Sequence, residues 1–466
     1  MFFKLNSYIF PRCIDNALHI FNFYDESFTF GDLNSFVFFK YLSHKPQHID
    51  TICSNIIKEF SPAPDFDVLK KDAIDFFNEL NSCGIVAAGK TEADCNNNSI
   101  KFSYDSSDIF TESFSDKKNS FSEKIEELTN KPLLRRVVLE ITKFCNERCI
   151  HCYIPHENKN IKMRKEDFFG IIDQCSEIGS VSQILITGGE CMSHPDFKDF
   201  IRYVKEKGFA LSLLTNGTLL DDEIIDILSK GSLSKVQVSL FSLDPKIHDV
   251  ITKLPGSLEK ALANIQKLRK ANIPVAIATQ VLELNHKSIP DLFEYAKQNK
   301  FEMRCADTII AKENCTDDNL NYQPKSAECF AEICRTRIKY APDYKKMNLS
   351  LLKAEPKPLT THLCNAGVNA IKISPDLKAH ICTGWNLELG DLRKTKLIDI
   401  WENSPEIKRI RNITLADFPK CSKCDIRNIC TICMAQAYNA NNGKFEVPEF
   451  VCEINKVIKR TCEESE

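Results

Sequence analysis

The sequence carries no excess of either charge. Its 61 lysines and arginines stand against 64 acidic residues, a formal net charge of -3, and this balance gives no electrostatic reason to expect nucleic acid as a partner. No apolar run approaches the roughly 18 residues of a membrane-spanning helix, so no membrane is expected either. An export signal is also missing: the opening MFFKLNSYIF meets Pro11, Arg12 and Asp15 before a long apolar stretch develops, and no small-residue cleavage site follows. A cytoplasmic address is the expectation that results. There is no repeat of solenoid type, and the one tract of biased composition lies at 91–121.

What the sequence does have is cysteine, 21 in 466 residues. In a short secreted chain so many would form a disulfide framework. Here the chain is long, lacks an export signal and groups many of its cysteines at tight spacings, which favours metal ligation. With 43% hydrophobic and 27% charged residues it reads as an ordinary globular protein of two or three domains.

Residues 1–90 alternate short aromatic and aliphatic strands (YIF, ALHIFNFY, SFTFG) with helical patterns (DLNSFVFFKYL, DTICSNIIKEF, DVLKKDAIDFFNELNSCGIV). Asp32, Asp50 and Asp67 sit where N-caps would fall, and Gly84 could close the last helix. Residues 91–121 are rich in Ser, Asn and Asp without sustained periodicity and read as a linker. Within 122–345, strand and helix patterns alternate from Leu133 to about Cys305. RRVVLEIT, SQILIT, FALSLLT, KVQVSL and PVAIATQVL are strand candidates, and GSLEKALANIQKLRKA has helical period. This alternation predicts an α/β unit with a parallel sheet and outer helices, open or closed as a barrel, whose ligands lie beyond the carboxyl ends of the strands. From 346 to 466 the alternation stops and cysteines take over. Too little apolar sequence is left there for a large separate core, and bound metal would supply the missing stability.

The segment VVLEITKFCNERCIHCY sets Cys145, Cys149 and Cys152 as CxxxCxxC directly after a strand. Three thiolates can hold a 4Fe-4S cluster while leaving one iron without a protein ligand. The competing reading is a zinc site completed by His151 or His156, since structural zinc takes four ligands. The next motif favours iron. QILITGGECMSHPDF places Gly188, Gly189 and Glu190 at a strand end one βα unit later, where paired glycines admit a ligand close to the backbone and an acid can accept hydrogen bonds from an ammonium group.

On these motifs the region from Leu133 to about Cys305 resembles the catalytic core of the radical S-adenosylmethionine superfamily, which implies a partial (β/α)6 TIM-type barrel. The resemblance implies that Cys145, Cys149 and Cys152 hold a 4Fe-4S cluster whose open iron is chelated by the amino and carboxylate groups of S-adenosylmethionine. It also implies cofactor contacts from Tyr153, which follows the motif, from Gly188, Gly189 and Glu190, and from Asn216 in LLTNGTLL and Ser239 in VSLFSLD. The last two could equally be turn residues at strand ends. The family's chemistry would be one-electron reduction of the sulfonium, release of a 5′-deoxyadenosyl radical and hydrogen abstraction from substrate, fed by a reductant such as flavodoxin or ferredoxin.

Cys364, Cys382, Cys421, Cys424, Cys430, Cys433 and Cys452 resemble the SPASM domain, which holds one or two auxiliary 4Fe-4S clusters. A zinc ribbon accounts for one CxxC but not for seven cysteines. By the family's connectivity Cys421, Cys424, Cys430 and Cys452 fill one cluster, and Cys364, Cys382 and Cys433 serve the other. The second cluster would then keep an open iron able to take a substrate thiolate, unless Cys315, Cys329 or Cys334 completes it. Two departures from the pattern stand out: Leu377 holds the place of a glycine five residues before Cys382, and Cys430 and Cys433 enclose two residues where three are usual. The turn and one ligand loop are therefore expected to differ in shape. The other eleven cysteines, among them Cys13, Cys53, Cys83, Cys175 and Cys305, lie mostly in apolar patterns and read as buried free thiols.

Residues 1–90 resemble, in pattern, the PqqD-like, winged-helix-like domain with which peptide-modifying enzymes recognise their precursors. A structural or dimerising domain is the competing reading. In the resemblance, an extended leader peptide adds a strand to an exposed sheet edge. The three parts together resemble maturases of ribosomally made peptides, which implies intramolecular thioether cross-links of sactionine or ranthipeptide type. The alternatives are a carbon–carbon cross-linking cyclase and a protein oxidase of the anaerobic sulfatase-maturating kind. A scaffold with purely structural clusters would leave the GGE segment without a purpose.

Overall fold

The computed structural model describes every residue except 15–16, 24–26, 32, 106–131, 156–159, 365–366, 386, 431, 442 and 465–466. The N-cap read at Asp32 and the alternative ligand His156 lie outside the described residues. Among those described, no helix is long and apolar enough to cross a membrane.

The chain opens with two small antiparallel sheets. β1 (Phe2–Leu5) lies between β5 (Gln47–His48) and β6 (Val86–Gly89), while β2 (Ile9–Ile14), β3 (Ala17–Asn22) and β4 (Ser27–Gly31) form a meander. They share a core around Phe3, Phe39, Ile52 and Phe77 with the helices Leu33–Lys40, Ile49–Ile57 and Phe66–Ser82. Two caps fall two residues earlier than the sequence pattern places them. His48 and Asp65 start the second and third helices, their side chains accepting from the amides of Asp50 and of Asp67 and Val68. Asp50 and Asp67 sit in the first turns instead, where a carboxylate still complements the helix dipole. Gly84 closes the third helix at φ 72°, a left-handed conformation in which glycine has no Cβ to clash.

The start of the segment read as a linker is folded. Thr91 and Asp94 cap each other reciprocally on the helix Glu92–Asn97, and Phe102 and Tyr104 are buried against the main core. The Tyr104 hydroxyl donates to Ile273 O and accepts from the Val275 amide, each at 2.9 Å. The short polar residues that make this cap are the same types that make a loop, so periodicity did not separate them.

The expected strands then appear as β7 (Arg136–Glu140), β8 (Gln183–Thr187), β9 (Ala210–Thr215), β10 (Ser234–Ser239) and β11 (Val275–Gln280), followed by a sixth, β12 (Glu302–Ala306). They pair in parallel and in chain order, with helices such as Lys165–Ile178 and Ser257–Lys270 between them. β12 escapes a sequence reading because Glu302 and Arg304 break its apolar pattern, as an edge strand permits.

The cysteine-rich region both extends the barrel and adds a smaller apolar cluster, in which Ile426, Ile429, Ile454 and Val457 pack with Phe330 and Tyr344. β13 (Ala370–Ile373) pairs in parallel with β7, and β14 (Lys378–His380) and β15 (Glu388–Asp391) continue antiparallel, giving nine strands in one sheet among the described residues. One apolar cluster accordingly runs from the barrel into Trp385, Trp401, Ile407 and Met434. Leu377 takes φ 66° in the turn between β13 and β14. The leucine has adopted the backbone a glycine would supply, at a cost of about 1–2 kcal/mol, and packs partly against the main core.

The N-terminal unit docks beneath the barrel. Arg12 donates to Val181 O at 2.5 Å and to Gly208 O at 3.2 Å, its guanidinium lies 5.1 Å from the Phe209 ring centre, and the Leu233 amide donates to Ser7 O at 2.6 Å. These partners lead into β8, β9 and β10, so the docking face is the amino end of the strands. Burial pushes Arg12 down to about 10, which leaves it charged at neutral pH. Arg12→Met removes a charged donor from two carbonyls, a loss of about 2 kcal/mol in docking. Hydrogen exchange should show β2 and β3 opening faster while β7 to β12 keep their protection; unchanged exchange in β2 and β3 would refute the latch.

Candidate active site at the carboxyl ends of the strands

β7 leads into Ile141–Phe144 and then Cys145, and the GGE segment after β8 is laid along this loop. Gly189 donates its amide to Thr142 O at 2.8 Å, and Glu190 donates its amide to Phe144 O at 2.7 Å. A Cβ on Gly188 would stand 2.6 Å from Thr142 O, and one on Gly189 would stand 2.3 Å from Phe144 O. The glycines are therefore required by the approach of two protein segments, before any ligand is considered.

Glu190 is fully buried. Its carboxylate accepts from the Asn216 amide at 2.7 Å, the Thr215 hydroxyl at 2.8 Å and the Met192 amide at 3.0 Å. Burial pushes this carboxyl above its ordinary value, and the donors oppose that shift. Asn216 in turn donates to Asn146 Oδ1 at 2.9 Å and comes within 4.0 Å of Cys145 Sγ. Glu190 and Asn216 thus tie the ends of β8 and β9 to the cysteine loop. Ser239 ends β10, beside β9.

Cys145, Cys149 and Cys152 face one another. Burial pushes the Cys145 thiol up to about 12, with Glu147, Glu190 and Cys152 adding to the rise, and pushes Cys149 well above the ordinary thiol value. Two residues inside the motif also matter: Glu147, which the sequence reading left without a role, and His151, which it offered only as the fourth ligand of a competing zinc site. Glu147 is buried, accepts the Cys149 thiol at 3.4 Å through Oε2, and leaves Oε1 without a partner. The His151 ring lies 4.7 Å from Phe241, burial lowers it to about 4, and its Nδ1 is buried and unpartnered. Their signal was position alone, since each stands between ligand cysteines where the CxxxCxxC spacing names no residue type.

The C-terminal cysteines gather in two groups. Burial, with Cys433 and Cys364 beside it, pushes Cys382 up to about 12, and burial with Cys421, Cys452 and Cys424 does the same to Cys430. Cys334 instead meets Cys462, and Cys329 lies near Glu283 and His286. Cys315 sits in a turn that follows Lys312. Trp385 Nε1 is buried and unpartnered, and Trp385 shares a small cavity with Cys364 and Met434. Tyr153 stands between the first motif and this region. Burial raises its phenol well above the ordinary value, and Glu140, Glu313, Cys152 and Cys382 add to the rise.

Beside Tyr153 four charges are buried together. Lys143 Nζ lies 3.0 Å from Glu140 and 2.8 Å from Glu313, and Lys372 Nζ lies 3.5 Å from Glu140 and 3.2 Å from Glu313, each side chain at most 13% exposed. Glu140 ends β7, Lys372 lies in β13, and Glu313 arrives from the segment after β12. One cluster therefore spans the opening between the two ends of the barrel.

Residues 139–296 match the family model of the radical SAM superfamily, and residues 364–425 match that of the iron-sulfur cluster-binding SPASM domain. The chain is 27% identical over 339 residues to an AdoMet-dependent heme synthase of Methanosarcina barkeri, covering 68% of this chain and 96% of that protein. It is 25% identical over 335 residues to a PqqA peptide cyclase of Granulibacter bethesdensis, covering 68% and 87%. Its fold is similar to that of Streptococcus suis SuiB, solved bound to the precursor peptide SuiA, with a TM-score of 0.60 at 15% identity, covering 97% of this chain and 99% of that one.

The residues present fit a 4Fe-4S cluster and S-adenosylmethionine. Three thiols set among one another and the carboxylates of Glu147 and Glu190 need a bound cation to become thiolates. The orphaned Glu147 Oε1 and His151 Nδ1 are open to a polar, cationic molecule beside them. The unpartnered Trp385 N–H fits an acceptor at the Cys364 group in the same way.

Gly189→Ala should push the cysteine loop away from β8 and lower iron and sulfide at the first motif while sparing the C-terminal groups. Iron and sulfide per chain check this, and wild-type loading would overturn it. Lys372→Met leaves two buried carboxylates to share the single charge of Lys143, and its expected cost is about 3–5 kcal/mol in denaturant unfolding. Burial works against both Glu313 and Lys143, but their partners outweigh it, holding Glu313 below its ordinary value and Lys143 above its own. Glu313 stabilises above pH 4.5 and loses its contribution as pH falls through its lowered value; Lys143 stabilises below pH 10.5 and loses its contribution as pH rises. A stability plateau between these limits, lowered in Lys372→Met, is the expected profile, and equal plateaus would contradict a stabilising role for the four-charge cluster.

Proposed function

We propose that this chain, a radical S-adenosylmethionine enzyme with an auxiliary iron-sulfur domain, modifies a ribosomally made precursor peptide and forms intramolecular thioether bonds. The observation that carries the proposal is the placement of Tyr153, which feels both Cys152 of the first motif and Cys382 of a three-cysteine group. A peptide lying along this residue would have the hydrogen-abstracting centre on one side and a thiol-accepting centre on the other.

In this reading Cys145, Cys149 and Cys152 hold the radical cluster, Cys421, Cys424, Cys430 and Cys452 fill one auxiliary cluster, and Cys364, Cys382 and Cys433 hold another whose open iron takes a substrate thiolate. When bound, cluster and cosubstrate supply one-electron cleavage of a sulfonium and removal of a hydrogen atom from the substrate. The protein supplies position. Glu190 and Asn216 fix the cysteine loop, Gly188 and Gly189 admit the strap that holds it, Glu147 and His151 face the cosubstrate, and Ser239 lines the strand end beside it. A flavodoxin-like or ferredoxin-like reductant would deliver the electron, and 21 cysteines with no disulfide among the described residues suit a reducing cytoplasm.

The peptide substrate is supported by reach. Alignment with the two curated relatives takes in 68% of the chain, whereas the likeness to peptide-bound SuiB takes in 97% and so includes the N-terminal unit. The recognition role of residues 1–90 is supported by that unit's two small antiparallel sheets, whose edge strands offer a place for an extended leader. The likeness to a heme synthase favours a second reading, with a porphyrin as substrate.

Anaerobically reconstituted, full-length enzyme with reductant, S-adenosylmethionine and a cysteine-containing precursor encoded nearby separates the two. The expected result is 5′-deoxyadenosine together with a peptide lighter by two hydrogens per cross-link, and far less product from leaderless peptide. An unaltered peptide with conversion of an added iron porphyrin would replace this proposal with the second reading.

A further inference from the structure

We propose a zinc site on the outer rim of the barrel, made by Glu283, His286 and Cys329 and separate from the three cysteine groups. One ligand atom from each of these side chains lies within 4.8 Å of the others. They come from two segments that follow different strands. Glu283 and His286 lie just after β11, where the Glu283 amide donates to Tyr322 O at 2.9 Å and the His286 amide donates to Leu282 O at 3.1 Å. Cys329 lies in the first turn of the helix Ala327–Tyr340.

Each ligand is prepared for a cation. Cys329 is 5% exposed, and its sulfur accepts the Ser326 hydroxyl at 3.2 Å. An anionic ligand atom is also favoured in the first turn of a helix. The His286 side chain is 13% exposed, and its Nδ1 is buried without a hydrogen-bond partner. Glu283 is exposed, with one carboxylate oxygen accepting from the Lys325 amide at 3.2 Å. Glu332 Oε2 stands 3.5 Å from His286 Nδ1, outside the set of three mutually close ligand atoms.

Sulfur, imidazole nitrogen and carboxylate oxygen in one set suit zinc better than magnesium or calcium, which take oxygen ligands. The ion would brace the loop after β11 to the helix Ala327–Tyr340. That helix packs against the terminal helix Glu449–Glu464, which carries Cys452. The site would therefore tie the barrel to the C-terminal cysteine region.

Cluster-loaded enzyme is incubated with zinc chloride, passed over a chelating resin and analysed for zinc, iron and sulfide. Wild type should retain one zinc per chain more than Cys329→Ser and His286→Gln, with iron and sulfide equal in all three. Equal zinc in wild type and both variants overturns the site. If a variant also loses iron, Glu283→Gln decides, because the side chain is exposed and glutamine keeps an oxygen for the Lys325 amide. Zinc affinity weakened by about tenfold or more supports the site, and unchanged affinity overturns it.

Discussion

The four buried charges of Glu140, Lys143, Glu313 and Lys372 hold the molecule in its working shape. Six parallel strands do not close a barrel by hydrogen bonding, and β13 occupies the free edge of β7. What closes the mouth is Glu313, arriving from beyond β12 to meet Lys143 after β7 and Lys372 in β13. A single buried ion pair often fails to repay its desolvation. Here each charge has two opposite neighbours, and the lysine beside the cysteine loop and the lysine of the C-terminal strand share the same two carboxylates. The position of Cys145 is thereby coupled to the position of Cys382, which lies two residues beyond β14.

This coupling works beside the small apolar cluster of Ile426, Ile429, Ile454 and Val457, against which Cys424 packs. The expectation for the sequence after residue 346 is too little periodic apolar sequence for a large separate core, with metal as the substitute. The helix Glu449–Glu464 nonetheless buries a periodic face of Val451, Ile454, Val457 and Ile458. The structure adds a second support: β13 extends the barrel sheet, and Trp385, Trp401 and Ile407 share the barrel's apolar cluster. Cluster binding then has to order the ligand loops rather than create the fold around them.

The legible parts of the sequence were those set by local chemistry. CxxxCxxC, the paired glycines and five of the six barrel strands follow from short-range spacing and apolar pattern, and they stand where spacing puts them. The unread parts depend on partners distant in sequence. Glu313 has no local signature, since it is one acid in a polar loop until Lys143 and Lys372 surround it. β12 and the helix Glu92–Asn97 were hidden by polar residues that an edge strand and a capping box tolerate. Leu377 shows the opposite error. A leucine in place of glycine looked like a change in the turn, yet the backbone keeps φ 66°, because the pairing of β13 with β14 fixes the turn more strongly than the leucine resists it.

The location of the N-terminal unit sets a condition on any precursor. Its contacts through Arg12 and Ser7 lie at the amino ends of β8, β9 and β10, whereas Cys145, Glu190 and Asn216 lie at the carboxyl ends. Strands of five or six residues rise about 3.3 Å per residue, so the two faces are separated by about 16–20 Å. Under the proposed reading, a leader paired to the meander cannot place its neighbouring residue at Tyr153. An extended spacer of about six residues or more must run up the outside of the barrel first. The enzyme would then choose its site by the length of the peptide between anchor and mouth, and side-chain contacts at the mouth would select only among residues that this length can deliver.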